Sequence, residues 1–391
     1  MTKEQIHPDN YEKYFQGFNP DLLDAKQWAR QAKEAGMKYA VLTTKHHEGF
    51  ALWDSACTEY KVTNTQYKKD IVREFVDAFR SEGLKIGFYH SVIDWYHPEF
   101  TIDGLHPLRE NEAEKEKPRK MEVYVQYLHD QVRELLTDYG KIDYMWFDFS
   151  YPDRDWGWSK GKGALDWKSE ELEKLVLDLQ PQIILNNRLN LNRGVYTPEQ
   201  YQPKEALTYN GEEIIWEACQ TLNGSWGYHR DQRHWKSSEM IIKMLVDTVS
   251  KNGNLLLNVG PTGRGEFEQQ AVDILSDLNG WMHYHAQAIY GASASKFQAP
   301  VDCRLTQRGN KLYVHMFSYP YRTLHVEHLA GKVAYAQFLH DHSEVTYQEF
   351  KEVDVLHHDV PVIEPGEVVF NMPVLKPDVV VPVLEITLKD E

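Results

Sequence analysis

The chain has 391 residues, 42% of them hydrophobic, which is long enough for two domains and a large core. Its 59 acidic residues outnumber 43 basic ones, a formal net charge of −16 that argues against a nucleic-acid partner, because such binding rests mostly on basic contacts to phosphate. No apolar run approaches the roughly 20 residues of a membrane helix, so no membrane partner is expected. Three scattered cysteines (Cys57, Cys219, Cys303) suit a reducing compartment better than a disulfide framework.

The N-terminus "MTKEQIHPDN" is polar and shows no signal peptide, so a cytoplasmic location is expected. Helical spacing follows in "PDLLDAKQWARQAKEAG" (Pro20–Gly36), closed by a glycine suited to a C-cap. Strand "KYAVLTTK", helix "DIVREFVDAFRSEG", strand "LKIGFYHS", helix "MEVYVQYLHDQVRELLTDYG" and strand "DYMWFDF" come next. The series continues with helix "SEELEKLVLDLQP", strands "IILNNR" and "IIWEAC", helix "SSEMIIKMLVDTVSKNG", strand "NLLLNVGP" and a last helix in "EQQAVDILSDLNGWMHYHAQAIYG". The charged stretch Arg109–Lys120 reads as a solvated loop.

Repeated strand–helix units predict a parallel sheet covered by helices, with the (β/α)8 barrel as its closed form. A doubly wound sheet is the alternative, but no strand leads into a glycine-rich phosphate loop, "GPTGRGEF" coming nearest without the spacing. After about Ser295 the texture changes to short alternating strands, among them "KLYVHMFSY", "KVAYAQFL" and "VPVLEITL", which predict an antiparallel sandwich. The expected domains are therefore residues 1–294 and 295–391.

Polar and aromatic residues recur at the predicted strand ends: His46, Tyr89, Asp148, Arg188, Glu217 and Asn258. In a barrel the C-terminal strand ends share one rim, so these residues could converge. Asp148 interrupts an aromatic strand end, where a carboxylate loses hydration unless it is paired. Glu217 in "IIWEACQTL" repeats the situation, and two carboxylates on different strands suit glycoside hydrolysis. Glu212 and Glu213 compete with Glu217 but fall in an expected loop. Adjacent residues of a strand point to opposite faces, so His46 and His47 are expected to bind polar ligand groups rather than one metal ion. Aromatic residues make up 13% of the chain, enough for either a large core or a sugar-binding surface.

Five segments in order carry a resemblance to the alpha-L-fucosidases of glycoside hydrolase family 29. They are "LLDAKQWARQAKEAGMKYAVLTTKHHEGFALWDS", "GFYHSVIDWYHP", "YMWFDF", "WEACQTLNGSWGY" and "NGNLLLNVGPTGRGEF", spanning roughly residues 19 to 291. The resemblance implies that Asp148 is the nucleophile with Trp146 beside the sugar, and that Glu217 is the acid/base. It further implies that His46, His47 and Tyr89 bind fucose hydroxyls and that Trp53 lines the pocket.

Members of that family begin with a strand carrying an "H-W-G" histidine and then a Glu-Trp pocket pair. This chain starts at "MTKEQIHPDNYEKYFQGFNP" and has neither. The expected fold is thus a (β/α)8-type barrel lacking its usual first strand, followed by the β-sandwich. The expected function is that of a retaining exo-alpha-L-fucosidase, without metal or other cofactor, acting on fucosylated oligosaccharides or glycosides and able to transfer fucose as well as hydrolyse it. A fucose-binding protein with an inactive barrel is the rival reading. An open barrel edge leads to the further expectation of a homo-oligomer whose neighbouring subunit helps complete the pocket, unless Ile6–Phe18 covers the gap from the same chain.

Overall fold

The structure is a computed structural model describing residues 1–352, 358 and 361–390; residues 353–357, 359, 360 and 391 of the expected C-terminal domain lie outside the described residues. The chain divides into two compact units, Met1–Thr197 with Gly260–Glu268, and Pro198–Val259 with Gln269–Glu391. The boundary expected at residue 294 follows a different criterion, the change from mixed helices and strands to strands alone.

In the first unit, two helices open on aspartate caps and bury an apolar stripe. Asp24 accepts from the Gln27 N–H (2.9 Å) to open helix Ala25–Glu34, which buries Ala25, Trp28, Ala29 and Ala32. Gly36, at φ +88°, ends that turn and releases strand β1, Tyr39–Lys45. Asp70 likewise caps helix Ile71–Ser81 through the Arg73 N–H (2.8 Å) and leads to strand β2, Lys85–Ser91. Helix Met121–Thr137 precedes strand β3, Tyr144–Asp148, and helix Ser169–Leu179 precedes strand β4, Ile184–Leu185. These strands form one parallel sheet in the order β1-β2-β3-β4, which gathers their C-terminal ends along one edge.

The register places Thr43 opposite Tyr89, Tyr89 opposite Trp146, and Ser91 opposite Asp148. Strand β4 is shorter than the expected "IILNNR". The Asn186 amide replaces the ladder there, accepting from the Phe147 N–H (3.0 Å) and donating to the Phe147 carbonyl (2.9 Å). The backbone then turns into a short 3-10 helix, Asn187–Leu189, ending at Asn190 in the left-handed region (φ 62°). The charged stretch Arg109–Lys120 contains one helical turn, Glu112–Lys115, capped by Asn111.

In the second unit, Asn210 and Gly211, both at positive φ, turn a small hairpin of β5 (Thr208–Tyr209) and β6 (Glu212–Glu213). Strand β7, Trp216–Thr221, is buried throughout and runs parallel to β8, Gly253–Asn258. Gly253 is required by close approach, because a Cβ there would sit 2.4 Å from the Trp216 ring. The β1–β4 and β7–β8 ladders are separate, so hydrogen bonds do not close a ring among the described residues.

The expected antiparallel sandwich is present. Strands β9 (Ser293–Ala294), β10 (Cys303–Arg308), β11 (Lys311–Met316), β13 (Val333–Phe338) and β16 (Val383–Leu388) form a sheet in the order β13-β16-β11-β10-β9. Strands β12 (Thr323–Val326), β14 (Tyr347–Glu349) and β15 (Val368–Asn371) form the other, in the order β12-β15-β14. Leu305, Val314, Val326, Phe338, Phe370 and Leu384 from the two sheets share one core. Cys57 is half-buried and Cys219 and Cys303 are buried, and no helix among the described residues is long and apolar enough to cross a membrane.

Lys45, the last residue of β1, is fully buried. Its Nζ donates to Asp94 Oδ2 (3.3 Å) and Gln131 Oε1 (2.9 Å) and lies 5.2 Å from the Tyr127 ring centroid. Asp94 Oδ1 accepts from the Tyr96 and His97 N–H groups (3.0 and 2.9 Å), so one ion pair ties the loop after β1 to the loop after β2. Asp94→Ala should therefore cost about 3–5 kcal/mol by stranding a buried ammonium, read as a lower urea midpoint. A loss below about 1 kcal/mol, the range of exposed ion pairs, would show that Lys45 finds other solvation.

Candidate active site

Asp148 ends β3 on the edge where the parallel strands deliver their C-terminal residues. Its Oδ2 accepts from the Tyr89 hydroxyl (2.7 Å), and its Oδ1 accepts from Arg188 Nη1 (3.0 Å). His47 Nε2 stands 3.9 Å from Oδ2. Arg188 comes from the 3-10 turn after β4 and is itself braced by Thr197, donating through Nε to the hydroxyl (2.8 Å) and through Nη2 to the carbonyl (3.1 Å).

The cross-strand register builds a row of flat groups beside this carboxylate. His46 stacks on Tyr89 (centroids 5.6 Å, planes 5° apart), and Tyr89 stacks on Trp146 (5.4 Å, 20°). The Arg188 guanidinium carbon lies 4.8 Å from the Trp146 ring centroid. Aromatic faces beside fixed polar groups suit a sugar ring, which offers apolar C–H faces together with hydroxyls. Burial, followed by the Asp148 charge, pushes the Tyr89 phenol well above its usual pKa, so Tyr89 remains a donor.

The two histidines have opposite electrostatic settings. Burial, then the charges of His46 and Lys45, holds the His47 pKa well below the usual imidazole value. For His46 partial burial also works against charge, but Glu48, 3.6 Å from Nδ1, outweighs it and raises the pKa. The expectation that these neighbours point to opposite faces is corrected by their ring centroids, only 4.0 Å apart. The strand ends at Lys45 after a register irregularity, and the chain then turns, with the Gly49 N–H donating to the His46 carbonyl (3.0 Å). Strand alternation no longer applies in that turn. No group of three His, Cys, Asp or Glu residues among the described residues is arranged to hold a metal ion.

The structure thus brings together His46, His47, Tyr89, Trp146 and Asp148. It adds Arg188, which the sequence marks only as polar near a strand end, and Glu48, whose signal is its place within "KHHEGF". Trp53 lies in the core instead. It is 1% exposed, sits edge-on to His90 (5.9 Å), and its indole N–H donates to Glu134 (2.9 Å). Glu217 belongs to the second unit, where it is buried opposite Asn254. It is the second residue of β7 rather than a C-terminal strand-end residue, since that ladder ends at Thr221 opposite Asn258. Glu212 and Glu213 are exposed in the hairpin.

Cover beside the histidine turn comes from within the first unit. Phe15 and Phe18 pack on Phe50 (5.8 and 5.0 Å), Phe15 also meets Tyr60 (5.4 Å), and Tyr96 donates to Glu12 (3.1 Å). Segment Ile6–Phe18 therefore contributes aromatic packing to these loops.

The alpha-L-fucosidase family model matches residues 2–287. An alpha-L-fucosidase of Dictyostelium discoideum is 30% identical over 302 residues, covering 74% of this chain and 60% of that protein. Human plasma alpha-L-fucosidase is 31% identical with the same coverage, so the chain spans about three fifths of the length of these relatives. Alpha-L-fucosidase isoenzyme 1 from Paenibacillus thiaminolyticus, a solved structure, is 42% identical with a TM-score of 0.91, covering 100% of this chain and 92% of that one. A Bacteroides thetaiotaomicron fucosidase, solved as a trapped covalent intermediate with 2-fluoro-fucosyl fluoride, is 27% identical with a TM-score of 0.82, covering 99% of this chain and 87% of that one. The chain shares the fold of these structures, in line with the expected strand–helix domain followed by an antiparallel sandwich, although hydrogen bonds close no ring among the described residues. The chain belongs to the alpha-L-fucosidase family.

Proposed function

We propose that the protein hydrolyses terminal alpha-L-fucosyl residues by double displacement, with Asp148 as the nucleophile. The carrying observation is that each Asp148 oxygen has its own donor, Tyr89 on Oδ2 and Arg188 on Oδ1, beside the row of His46, Tyr89 and Trp146. Two donors orient a carboxylate for attack on an anomeric carbon, and such orientation accounts for a large part of catalysis. The covalent intermediate trapped in the Bacteroides relative supports the two-step route. In the first step the Asp148 carboxylate forms a bond to the anomeric carbon as the bond to the leaving oxygen breaks, and an acid protonates that oxygen. In the second step water, deprotonated by the same group, releases fucose and frees Asp148; a sugar hydroxyl in place of water gives transfer.

For the acid/base, family resemblance favours Glu217. A second reading rests on Glu48, the carboxylate beside His46 in the first unit. A homo-oligomer remains part of the proposal, and sedimentation with activity across a dilution series tests it, since a fully active monomer would refute a shared pocket.

Asp148→Gly should lower turnover of p-nitrophenyl alpha-L-fucoside by about 10⁴-fold or more, with cleavage restored by azide. Near-normal turnover in that variant would end the assignment. Glu217→Gln and Glu48→Gln separate the two acid readings. Loss of the true acid should spare substrates with good leaving groups at the first step and cripple those with poor ones. A uniform effect across leaving groups in Glu217→Gln would remove it from the role.

A further inference from the structure

The hydrogen bonds around Ser91 fix which nitrogen of His47 carries the proton. Ser91 is fully buried at the end of β2, and its Oγ has three polar neighbours: the Ile93 carbonyl at 2.8 Å, the Ile93 N–H at 3.0 Å and His47 Nδ1 at 2.6 Å. The single hydroxyl proton of Ser91 goes to the Ile93 carbonyl, a buried group that can only accept. The Ile93 N–H can only donate, and it fills one lone pair of Oγ. The remaining lone pair faces His47 Nδ1, which must therefore donate to it.

Burial and the charges of His46 and Lys45 disfavour a second proton on the His47 ring, so Nδ1–H leaves Nε2 with a bare lone pair. That nitrogen faces Asp148 Oδ2 across 3.9 Å. Two acceptors face each other there, and a donor from outside the protein can bridge or separate them.

We propose that Ser91 is a positioning residue that holds His47 as its Nδ1–H tautomer, so that Nε2 accepts a hydrogen bond from a hydroxyl of the sugar. The inference deepens the fucosidase reading and rests on it for the identity of the sugar. The site would then discriminate by acceptance. A substrate whose hydroxyl at this point is methylated or replaced by hydrogen leaves Nε2 unmatched, which is the strong form of polar selectivity.

The loop is built to hold this geometry. The Trp95 N–H donates to the His47 carbonyl (2.8 Å), and the Trp95 and Phe149 rings meet the imidazole edge-on (5.3 and 5.7 Å). Gly49, at φ +87°, gives Asp94 its place, because a Cβ there would lie 2.4 Å from Asp94 Oδ1. Lys45 and Asp94 then fix the turn from below.

Nitrogen-15 NMR of histidine rings in the full-length protein tests this directly, with His47 assigned through the resonances lost in His47→Gln. The expected result at neutral pH is a protonated Nδ1 and an unprotonated Nε2. An Nε2–H tautomer or an imidazolium would overturn the proposal. In Ser91→Ala the two tautomers should mix and KM should rise about 3- to 10-fold, the range of one net hydrogen bond, with kcat little changed and Ser91→Thr restoring both readouts. A pure Nδ1–H signal with unchanged KM in Ser91→Ala would remove Ser91 from the role, and the wild-type spectrum decides the tautomer even if that variant does not fold. Added L-fucose should shift the Nε2 resonance. L-fucose that binds by calorimetry without moving Nε2 overturns the acceptor role, whereas L-fucose that does not bind overturns the fucosidase reading and leaves the tautomer result standing.

Discussion

One carboxylate with two donors organises the first unit: Tyr89 on one oxygen of Asp148, Arg188 on the other. Tyr89 and Asp148 reach each other because β2 and β3 run parallel in a register that sets Tyr89 beside Trp146 and Ser91 beside Asp148. A slip of one residue would turn each side chain to the opposite face of the sheet. Arg188 depends on the early end of β4, where the Asn186 side chain takes over the ladder and lets the backbone turn. The site is therefore a consequence of strand register and of one asparagine, more than of any flexible loop.

Charge is arranged around that carboxylate in layers. Lys45 and Asp94 form a buried pair next to the histidine turn, each compensating a charge that would otherwise be stranded away from water. Lys45 and His46 both disfavour a proton on His47, while Glu48 favours one on His46. Two neighbouring imidazoles with rings 4.0 Å apart are thereby set to different hydrogen-bonding characters. A sugar, whose hydroxyls both donate and accept, suits such an edge better than a simple anion or cation does.

Much of this was legible in the sequence for definite reasons. Helical spacing in "PDLLDAKQWARQAKEAG" and "DIVREFVDAFRSEG" announces helices, apolar runs such as "KYAVLTTK" announce strands, and an acid at an aromatic strand end marks Asp148. Other features depend on local departures that periodicity does not encode. The irregularity near Lys45 brings His46 and His47 to one side, against strand alternation. "IILNNR" looks like a full strand, yet a side-chain amide ends it after two residues. Trp53 reads as a pocket residue by motif but is taken into the core by Glu134, a partner 81 residues away in the chain. Glu217 shows the same limit, because an apolar run marks a strand without saying at which end of it a residue falls. The Asn210–Gly211 hairpin carries an Asn-Gly turn signal that local chemistry could have revealed.

The central claim is that Asp148 forms a covalent bond to fucose, and trapping reads it most directly. The protein would be incubated with 2-fluoro-fucosyl fluoride, digested, and its peptides analysed by mass spectrometry. The fluorine at position 2 should slow the second step more than the first, so the adduct should accumulate on the peptide containing Asp148. It should also disappear as activity returns once the excess reagent is removed. Turnover of an alpha-L-fucoside with the adduct on another carboxylate, or with no adduct at any stage, would contradict the account.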